Sequence, residues 1–272
     1  MADASRVLDH RLREMEEATR EIEAENARLR DAGRLKDEHV ATVAHELRTP
    51  LTSIRSFAEI MQDEPDMPAA QRSAFLAIVV TECERLMRLI DQLLDLSRIE
   101  AGHMRWDVRD VAVEDIVREA TQSLAPVFGR DGVMLAVAPL PVDLPPVRAD
   151  GDRVIQVLVN LLFNAEKFCR MPGGTVAAGV RRDGPMARFS VIDDGPGVAE
   201  AERAAIFERF YQASGGPAAA GSGLGLAISE RIVSGLGGRI WLEAREDGAT
   251  GSVFHFTLPL APTACVPSPT TD

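Results

Sequence analysis

The sequence predicts a helical hairpin that pairs with a second copy into a dimeric four-helix bundle, followed by an α+β two-layer sandwich. Two observations predict this order. Before residue 104, long stretches repeat apolar residues with the helical period, and the turn segment Asp63–Pro68 divides them. After residue 104, shorter helical and alternating segments follow one another between Gly and Pro residues. The chain has 272 residues, 46% of them hydrophobic, which is enough to bury such a core.

Composition argues against several classes of protein. The longest apolar stretch, 154–163, is interrupted by Gln156 and Asn160 and falls well short of the roughly 20 residues needed to cross a bilayer, so we expect no membrane span. The formal net charge of −12 argues against nucleic acid as a partner. The cysteines have no paired or metal-ligand spacing, and the charged N-terminus lacks the apolar run of a secretory signal. We therefore expect a cytoplasmic location.

Residues 1–36 are predicted to form a coiled-coil signalling helix. Apolar residues recur there in a four-three alternation, and Asn26 falls in the core register, where a single Asn can fix two strands in register. An exposed amphipathic helix is the alternative. An upstream sensor domain or a separate sensor protein is expected to act through this helix.

Residues 37–103 are predicted to form the helical hairpin. Its first helix extends the apolar pattern from Val40 to Met61, and its second runs from Phe75 to Leu96. Gly102 suits the C-terminus of the second helix. The apolar face of a single hairpin cannot be buried alone, which favours a homodimer.

Residues 104–260 are predicted to form the sandwich, with helices on one side of a mixed sheet. The tail, 261–272, is rich in Pro, Thr and Ser and is predicted to be disordered. The predicted elements of the sandwich are helices near 113–128 and 152–168, extended segments near 133–137, 175–180 and 187–192, and a terminal hairpin of 239–244 and 252–258.

His45 is predicted to face water from the first helix. Val43 and Leu47 mark the apolar face, and His45 lies two residues from each, about 200° around the axis. A neutral imidazole keeps a lone pair that can attack a phosphoryl group. Glu46 can accept the other ring N–H, and Thr49, one turn further, can orient a water molecule. A lone exposed histidine is otherwise a solvated surface residue, so its role depends on the rest of the chain.

A polar stripe of Asn160, Asn164 and Lys167 is predicted on the helix 152–168, opposite its apolar side. Amide oxygens are hard ligands that suit Mg²⁺, and a lysine offers a point charge to phosphate. An exposed polar stripe without a ligand is the alternative for this helix taken alone.

Two glycine-containing turns carry the remaining candidates. Asp193 follows a strand and can accept the exocyclic amine proton of adenine, while Gly195 and Gly197 let the backbone approach a flat ligand closely. The segment Gly221–Leu226 is a Gly-rich turn into a helix, where free N–H groups and the helix dipole favour phosphate. The small residues 214–220 suit a lid over a nucleotide.

Together these segments resemble the HisKA-type sensor histidine kinases of two-component systems. The resemblance runs from about Leu35 to Leu260, and motifs similar to H-E-x-x-T-P, N-x-x-x-N-A-x-K, D-x-G-x-G, F-x-x-F-Y and G-x-G-L-G-L occur in the family's order. It implies a Bergerat-type ATP-binding sandwich, similar to those of gyrase, MutL and the heat-shock chaperones. The joint occurrence of the motifs, rather than any one of them, carries the resemblance.

The resemblance implies a protein-histidine kinase that uses ATP and Mg²⁺ to phosphorylate His45, with help from Glu46, and passes the phosphoryl group to an aspartate of a response-regulator receiver domain. The Glu46-x-x-Thr49 spacing resembles the family's phosphatase signature. The remaining implied roles are Asn164 for Mg²⁺, Asn160 and Lys167 for phosphates, Asp193 with Gly195 and Gly197 for adenine, Gly221, Gly223, Leu224 and Gly225 for phosphate, and Arg209 in place of an Arg frequent at Gln212.

Two other interpretations compete with this one. A pure ATPase or conformational switch would explain the nucleotide residues but leave the His45 segment without a purpose. A non-catalytic dimerising scaffold with a decayed site conflicts with the intact set of Asn164, Asp193 and Gly223.

Overall fold

The computed structural model describes residues 40–170, 173–211, 222–245 and 248–262, together with Arg20, Glu25 and Asn26. The predicted coiled coil, apart from those three residues, and the predicted tail beyond Pro262 lie outside this part of the chain. The described residues form two compact units, divided between Met87 and Arg88. The domain boundaries at 36, 103 and 260 stay predictions.

The first unit contains the predicted helical hairpin. Helix α1 occupies 40–63 of the described residues, and helix α2 spans Ala69–Glu100, so that α2 continues into the second unit. In the connection, the Met67 N–H donates to the Glu64 carbonyl at 3.1 Å, and the Met67 side chain is buried. Across the hairpin, the rings of Phe57 and Phe75 pack with centroids 5.0 Å apart. The predicted hairpin is confirmed.

Gly102 ends α2, as the sequence predicts. Its φ of 66° is left-handed, a conformation that glycine adopts without a Cβ penalty. The Gly102 N–H donates to the Ile99 carbonyl at 3.1 Å, and the His103 N–H donates to the Arg98 carbonyl at 2.9 Å. These bonds satisfy carbonyls that the end of a helix leaves without partners.

The second unit is the predicted α+β sandwich, built on a five-stranded mixed sheet of order β2-β4-β5-β7-β6. Strand β2 pairs with β4 in parallel, and the other pairs are antiparallel. A separate antiparallel pair, β1 with β3, was not predicted. The strands are β1 Arg109–Val111, β2 Met134–Val137, β3 Val147–Ala149, β4 Thr175–Asp183, β5 Met186–Asp193, β6 Ile240–Ala244 and β7 Ser252–Pro259. The helices are α3 Val113–Asp131, α4 Gly151–Phe168 and α5 Gly225–Gly235.

Helix α4 is the central helix of the layer, because it packs against α3 on one side, α5 on the other, and strands β4 and β5 beneath. Asp150 caps its N-terminus by accepting a hydrogen bond from the Arg153 N–H at 3.3 Å. The second Asp150 oxygen accepts from the Asp107 N–H at 3.0 Å. The cap therefore also ties the start of α4 to the chain that follows α2.

The core of the sandwich lies between the helices and the sheet. Phe189 of β5 and Phe256 of β7 are neighbours in register, and their rings stack with centroids 4.5 Å apart and an interplanar angle of 4°. Both side chains are fully buried. Among the described residues, no helix combines the length and the apolar character that crossing a bilayer requires.

Replacing Phe189 by Ala should lower the free energy of unfolding of the sandwich by about 3–5 kcal/mol, because the change opens a cavity under the helices. Urea denaturation followed by circular dichroism measures this difference. Phe163→Ala is the matched control, since Phe163 of α4 is 40% exposed and its removal leaves a smaller gap. Equal losses in the two variants would contradict the assignment of Phe189 to the core.

Candidate nucleotide and phosphoacceptor site

His45 lies on α1 and is exposed, as predicted, while Val43 and Leu47 are half-buried. Thr49 is also exposed, and its hydroxyl donates to the His45 carbonyl at 3.3 Å. The Thr49 side chain therefore lies one turn after His45 on the same surface. The imidazole of His45 can be reached from solvent.

Glu46 has a partner that the sequence did not predict. Its Oε2 lies 3.9 Å from Nη2 of Arg85 on α2, and Arg85 is in turn 4.0 Å from Glu82 of the same helix. The predicted contact with the His45 ring is therefore replaced in this structure by an ion pair across the hairpin. Because Glu46 directly follows His45 in the helix, the two side chains leave the axis about 100° apart.

Helix α4 carries the predicted polar stripe. Asn160, Asn164 and Lys167 are half-buried and lie together beside the buried apolar side. The ammonium of Lys167 stands 5.5 Å from the centroid of the Phe168 ring. The buried apolar residues of α4 are Val154, Val157, Leu158, Leu161, Leu162 and Ala165.

The Asn160 amide is held by helix α5. Its Nδ2 donates to Oγ of Ser229 at 3.0 Å. A Cβ built on Gly225 would stand 2.3 Å from Oδ1 of Asn160, closer than atoms can approach. The first residue of α5 and the buried serine one turn later thus enclose this end of the stripe.

Asp193 ends strand β5 and is 3% exposed. Its Oδ1 accepts hydrogen bonds from the N–H groups of Gly195 at 2.9 Å and Ser252 at 3.2 Å. Burial raises the pKa of the Asp193 carboxyl, and the two backbone N–H groups oppose that rise. A Cβ on Gly195 would stand 2.3 Å from the Phe168 carbonyl at the end of α4. The close approach of β5 and α4 at this point requires glycine.

The neighbouring carboxylate, Asp194, binds a different set of backbone groups. Its Oδ1 accepts from the Arg170 N–H at 2.9 Å, and its Oδ2 accepts from the Thr175 N–H at 3.0 Å. Asp194 therefore joins the chain after α4 to the start of β4. Gly197 has a φ of 79°, and a Cβ there would stand 3.0 Å from the Gly251 carbonyl.

The Gly-rich turn is hydrogen-bonded to the segment that precedes the predicted lid. The Phe210 N–H donates to the Gly223 carbonyl at 3.0 Å, and both residues have left-handed backbones, with φ of 60° and 67°. A Cβ on Gly223 would stand 2.6 Å from the Phe210 carbonyl carbon, so only glycine fits. Gly221 and the predicted lid, 214–220, lie outside the described residues.

Leu224 and Arg209, two other residues predicted to bind the nucleotide, have different surroundings in the structure. The Leu224 side chain is fully buried in the core, so its part in binding a nucleotide rests on its backbone, whose N–H donates to the Ser222 hydroxyl at 3.3 Å. Arg209 is half-buried, and burial, followed by the nearby charge of Arg231, lowers the pKa of its guanidinium.

The end of α2 reaches the same group of elements within the second unit. Asp95 Oδ2 accepts from Arg153 Nη1 and from Gln156 Nε2 of α4, each at 2.9 Å. One turn earlier, Gln92 Oε1 accepts from the Ser222 hydroxyl at 2.9 Å. The last part of α2 thus contacts both the start of α4 and the Gly-rich turn.

The structure therefore joins the predicted residues in two groups along α4. Asn160 is grouped with the start of α5, and Asp193 with the end of α4. Two surface cavities, of about 260 and 430 Å³, lie elsewhere, and their linings include none of the predicted nucleotide residues.

The sequence did not predict the parts played by Ser229 and Ser252. A serine among the apolar residues of α5 is a signal that could have found Ser229, whereas the backbone contact of Ser252 has no sequence signal.

Comparison with protein families gives two matches in chain order. Residues 35–102 match the His Kinase A (phospho-acceptor) domain, and residues 149–262 match the histidine kinase-, DNA gyrase B- and HSP90-like ATPase family. The chain belongs to the sensor histidine kinases. Both family predictions made from the motifs are confirmed.

This histidine kinase chain is similar to curated proteins that are considerably longer. It is 34% identical over 263 residues to the Non-motile and phage-resistance protein of Caulobacter vibrioides, covering 93% of this chain and 30% of that protein. It is 35% identical over 268 residues to the circadian input-output histidine kinase CikA of Synechococcus elongatus, covering 95% and 34%. Against the histidine-protein kinase/phosphatase MprB of Mycobacterium sp. (strain KMS), identity is 33% over 258 residues, covering 91% and 48%. The chain spans about a third to a half of these relatives.

Solved structures of histidine kinases share its fold. Full-length ShkA in complex with AMPPNP matches with a TM-score of 0.61 and 33% identity, over 83% of this chain and 46% of that one. The histidine kinase ThkA in complex with the response regulator TrrA matches with a TM-score of 0.63 and 28% identity, over 83% and 62%. The predicted order of helical hairpin and ATP-binding sandwich is therefore confirmed.

Glu166 makes the stability of the fold around α4 depend on pH. It lies on the buried side of the helix, and burial, followed by a hydrogen bond and repulsion from Asp131 of α3, raises its pKa from 4.5 to about 6. The charges of Arg130 and Lys167 oppose this rise. Because the folded state binds the proton more tightly, the stabilisation is complete below about pH 4.5 and is lost as the pH rises through about 6.

Glu166→Gln should therefore stabilise the protein above pH 6, by about 1–2 kcal/mol, and the difference should disappear towards pH 4.5 because glutamine stays neutral. Urea denaturation at pH 4.5 and pH 7.5 measures both values. Glu119→Gln on the exposed face of α3 is the control and should change little at either pH. A Glu166→Gln variant as stable as wild type at pH 7.5 would contradict the raised pKa.

Proposed function

We propose that this chain is the catalytic core of a sensor histidine kinase that uses Mg-ATP to phosphorylate His45 and passes the phosphoryl group to an aspartate of a response-regulator receiver domain. The observation that carries the proposal is the pairing of an exposed histidine in a phospho-acceptor domain with an ATPase-family sandwich in one chain. A pure ATPase would leave that histidine without a use.

His45 is the nucleophile in this proposal. A ring nitrogen of the neutral imidazole attacks the γ-phosphorus of ATP, the bond from that phosphorus to the β–γ bridging oxygen breaks, and ADP leaves. Glu46 accepts the ring proton from the other nitrogen. Its ion pair with Arg85, at 3.9 Å and partly exposed, is weak, so little free energy is lost when the carboxylate leaves it for the ring. We assign Thr49 to orienting water when the phosphoryl group is removed from the partner.

The nucleotide lies along α4 in this proposal. Asp193 accepts the adenine amine proton, and its two backbone hydrogen bonds keep the buried carboxylate in place. Asn160 and Lys167 contact the phosphates from the polar stripe. The other residues we assign to nucleotide binding are Gly195 and Gly197 beside adenine, and Arg209, Gly221, Gly223, Leu224 and Gly225 around the phosphates.

Asn164 is the residue we assign to magnesium. Its half-buried amide supplies one hard oxygen ligand, and Mg²⁺ usually keeps several waters and shares its coordination with nucleotide phosphates. When bound, the ion neutralises charge on the phosphates.

The hairpin is proposed to form a homodimer. Its helices expose large apolar side chains, with Leu51 51%, Leu76 49%, Val80 55% and Met87 58% exposed in the single chain. Leu76, Val80 and Met87 are spaced by 4 and 7 residues and so share one face of α2, and large exposed apolar patches mark interaction sites. Pairing two hairpins into a four-helix bundle would bury these residues.

The partner that receives the phosphoryl group is proposed to be a response-regulator receiver domain. The related kinase ThkA is described in complex with such a regulator, and the relative MprB is named a kinase/phosphatase. The exposure of His45 and Thr49 on one surface supports both transfer to the partner and removal of phosphate from it.

Two further assignments complete the proposal. We assign the input to an upstream sensor domain or a sensor protein that acts through residues 1–36. We assign the core to the cytoplasm, because the reaction needs ATP and because Cys83 and Cys169 are free thiols.

Incubation with γ-labelled ATP should give acid-labile, base-stable label on the wild-type chain and none on His45→Gln, since glutamine has no nucleophilic ring nitrogen. Labelled protein is quantified after denaturing electrophoresis. His103→Gln, which changes another exposed histidine, is the control and should label like wild type. Label that persists in His45→Gln would refute the assignment of His45, and ATP hydrolysis without any label would favour the pure ATPase.

Asn164→Ala should lose at least 10-fold in labelling rate while keeping the oligomeric state of wild type, because one metal ligand is removed. Asn164→Asp, which keeps an oxygen ligand, should retain labelling that depends on the Mg²⁺ concentration. Initial rates over a magnesium titration, with light scattering for the oligomeric state, separate these outcomes. Unchanged labelling in Asn164→Ala would refute its metal role.

A further inference from the structure

Ser229 carries a buried hydroxyl that the packing of α5 does not require. It lies one turn into α5, is 2% exposed, and has the buried residues Ala227, Ile228 and Ile232 as neighbours in the helix. Serine is a poorer helix former than alanine at an interior position, and a buried hydroxyl without a partner is unfavourable. A serine at this position therefore calls for a specific partner.

The partner of the Ser229 hydroxyl is the amide of Asn160, 69 residues earlier in the chain. The Ser229 Oγ accepts a hydrogen bond from Asn160 Nδ2 at 3.0 Å. This bond links the nucleotide helix α4 to the helix that follows the Gly-rich turn.

Gly225 completes the same contact by being small. Its φ is not left-handed, so its backbone conformation does not require glycine. A Cβ at this position would stand 2.3 Å from Asn160 Oδ1 and 3.1 Å from Nδ2. The absence of a side chain at 225 leaves the space that the amide occupies, and Ser229 fixes the amide within that space.

The amide needs such fixing because its last torsion is weakly restrained. The terminal χ2 of asparagine is broad, so an amide without a partner exchanges the positions of its oxygen and nitrogen and samples many angles. One N–H of Asn160 is committed to Ser229. The amide is then held in one orientation, with Oδ1 beside Gly225.

We infer that Ser229 is a positioning residue for the nucleotide site, which acts by holding the Asn160 amide against Gly225 in the orientation that binds the phosphates. This inference rests on the proposed function, because it assigns Asn160 to the nucleotide. Ser229 itself touches neither ATP nor the reacting atoms. Its effect on binding passes through Asn160.

The hydrogen bond can be tested without any nucleotide. The chain contains three asparagines, Asn26, Asn160 and Asn164, so selective ¹⁵N-asparagine labelling gives three pairs of side-chain amide signals. The Asn160 pair, identified by its loss in Asn160→Ala, should exchange with water slowly in wild type, and Ser229→Ala should remove this protection. Equal exchange of Asn160 in wild type and Ser229→Ala would overturn the inference.

The consequence for binding is tested by titrating Mg-ATP into the full chain in a calorimeter. Ser229→Ala should weaken binding about 3- to 10-fold, because binding then has to immobilise an amide that is free to rotate. In the Asn160→Ala background the same change should have no further effect, because Ser229 has lost the group through which it acts. Ser234→Ala, on the exposed face of α5, is the matched control and should bind like wild type.

The outcomes separate the two proposals. Wild-type binding by Ser229→Ala, or an equal loss in both backgrounds, would overturn the role of Ser229 and leave the kinase assignment standing. A wild-type chain that does not bind Mg-ATP would overturn both. Ser229→Ala should also stay folded at the temperature of the titration, with an unfolding temperature lower by no more than about 4 °C, since the helix propensity of alanine offsets part of the lost hydrogen bond; partial unfolding at the titration temperature would attribute its effect to stability rather than positioning.

Discussion

Helix α4 buries its apolar side and keeps its polar stripe accessible. The arrangement of the whole ATP-binding unit depends on this orientation of the helix. Val154, Leu158 and Leu162 are buried on its apolar side, while Asn160 and Asn164 lie half-buried beside them. Rotating the helix by one residue, about 100°, would push amides into the core, where unpaired polar groups are unfavourable. The hydrophobic packing of α4 therefore fixes the direction of the polar stripe without any ligand being needed.

The neighbours of the stripe follow from that orientation. At the end of α4, the Phe168 carbonyl lies against Gly195, so that the carboxylate of Asp193 is held beside the last turn of the helix. About 12 Å earlier along the axis, Asn160 meets the start of α5 at Ser229. One stiff helix thus sets the separation between the group assigned to adenine and the group assigned to phosphate. Close approach at Gly195 and Gly225 makes both junctions intolerant of a side chain.

Much of this arrangement could be predicted from the sequence, for physical reasons that also mark the limits. The hairpin helices and α4 repeat apolar residues over many turns, and Asp193 and the Gly-rich turn have characteristic local chemistry. Strands β1 and β3 are three residues each, too short to display a period, and the paired residues are 36 to 40 positions apart in the chain. The partner of Glu46 on the other helix and the contact of Ser229 with Asn160 depend on tertiary packing, which no local pattern records.

We propose that α4, the end of β5 and the start of α5 form one nucleotide site. Hydrogen–deuterium exchange of the full chain, with and without Mg-ATP, measures whether they do, because a common ligand protects all the segments that it contacts. Bound Mg-ATP should add protection together at 160–167, 193–197 and 222–229, with little change in β2. Protection of one of these segments without the others, or of none of them at saturating Mg-ATP, would contradict it.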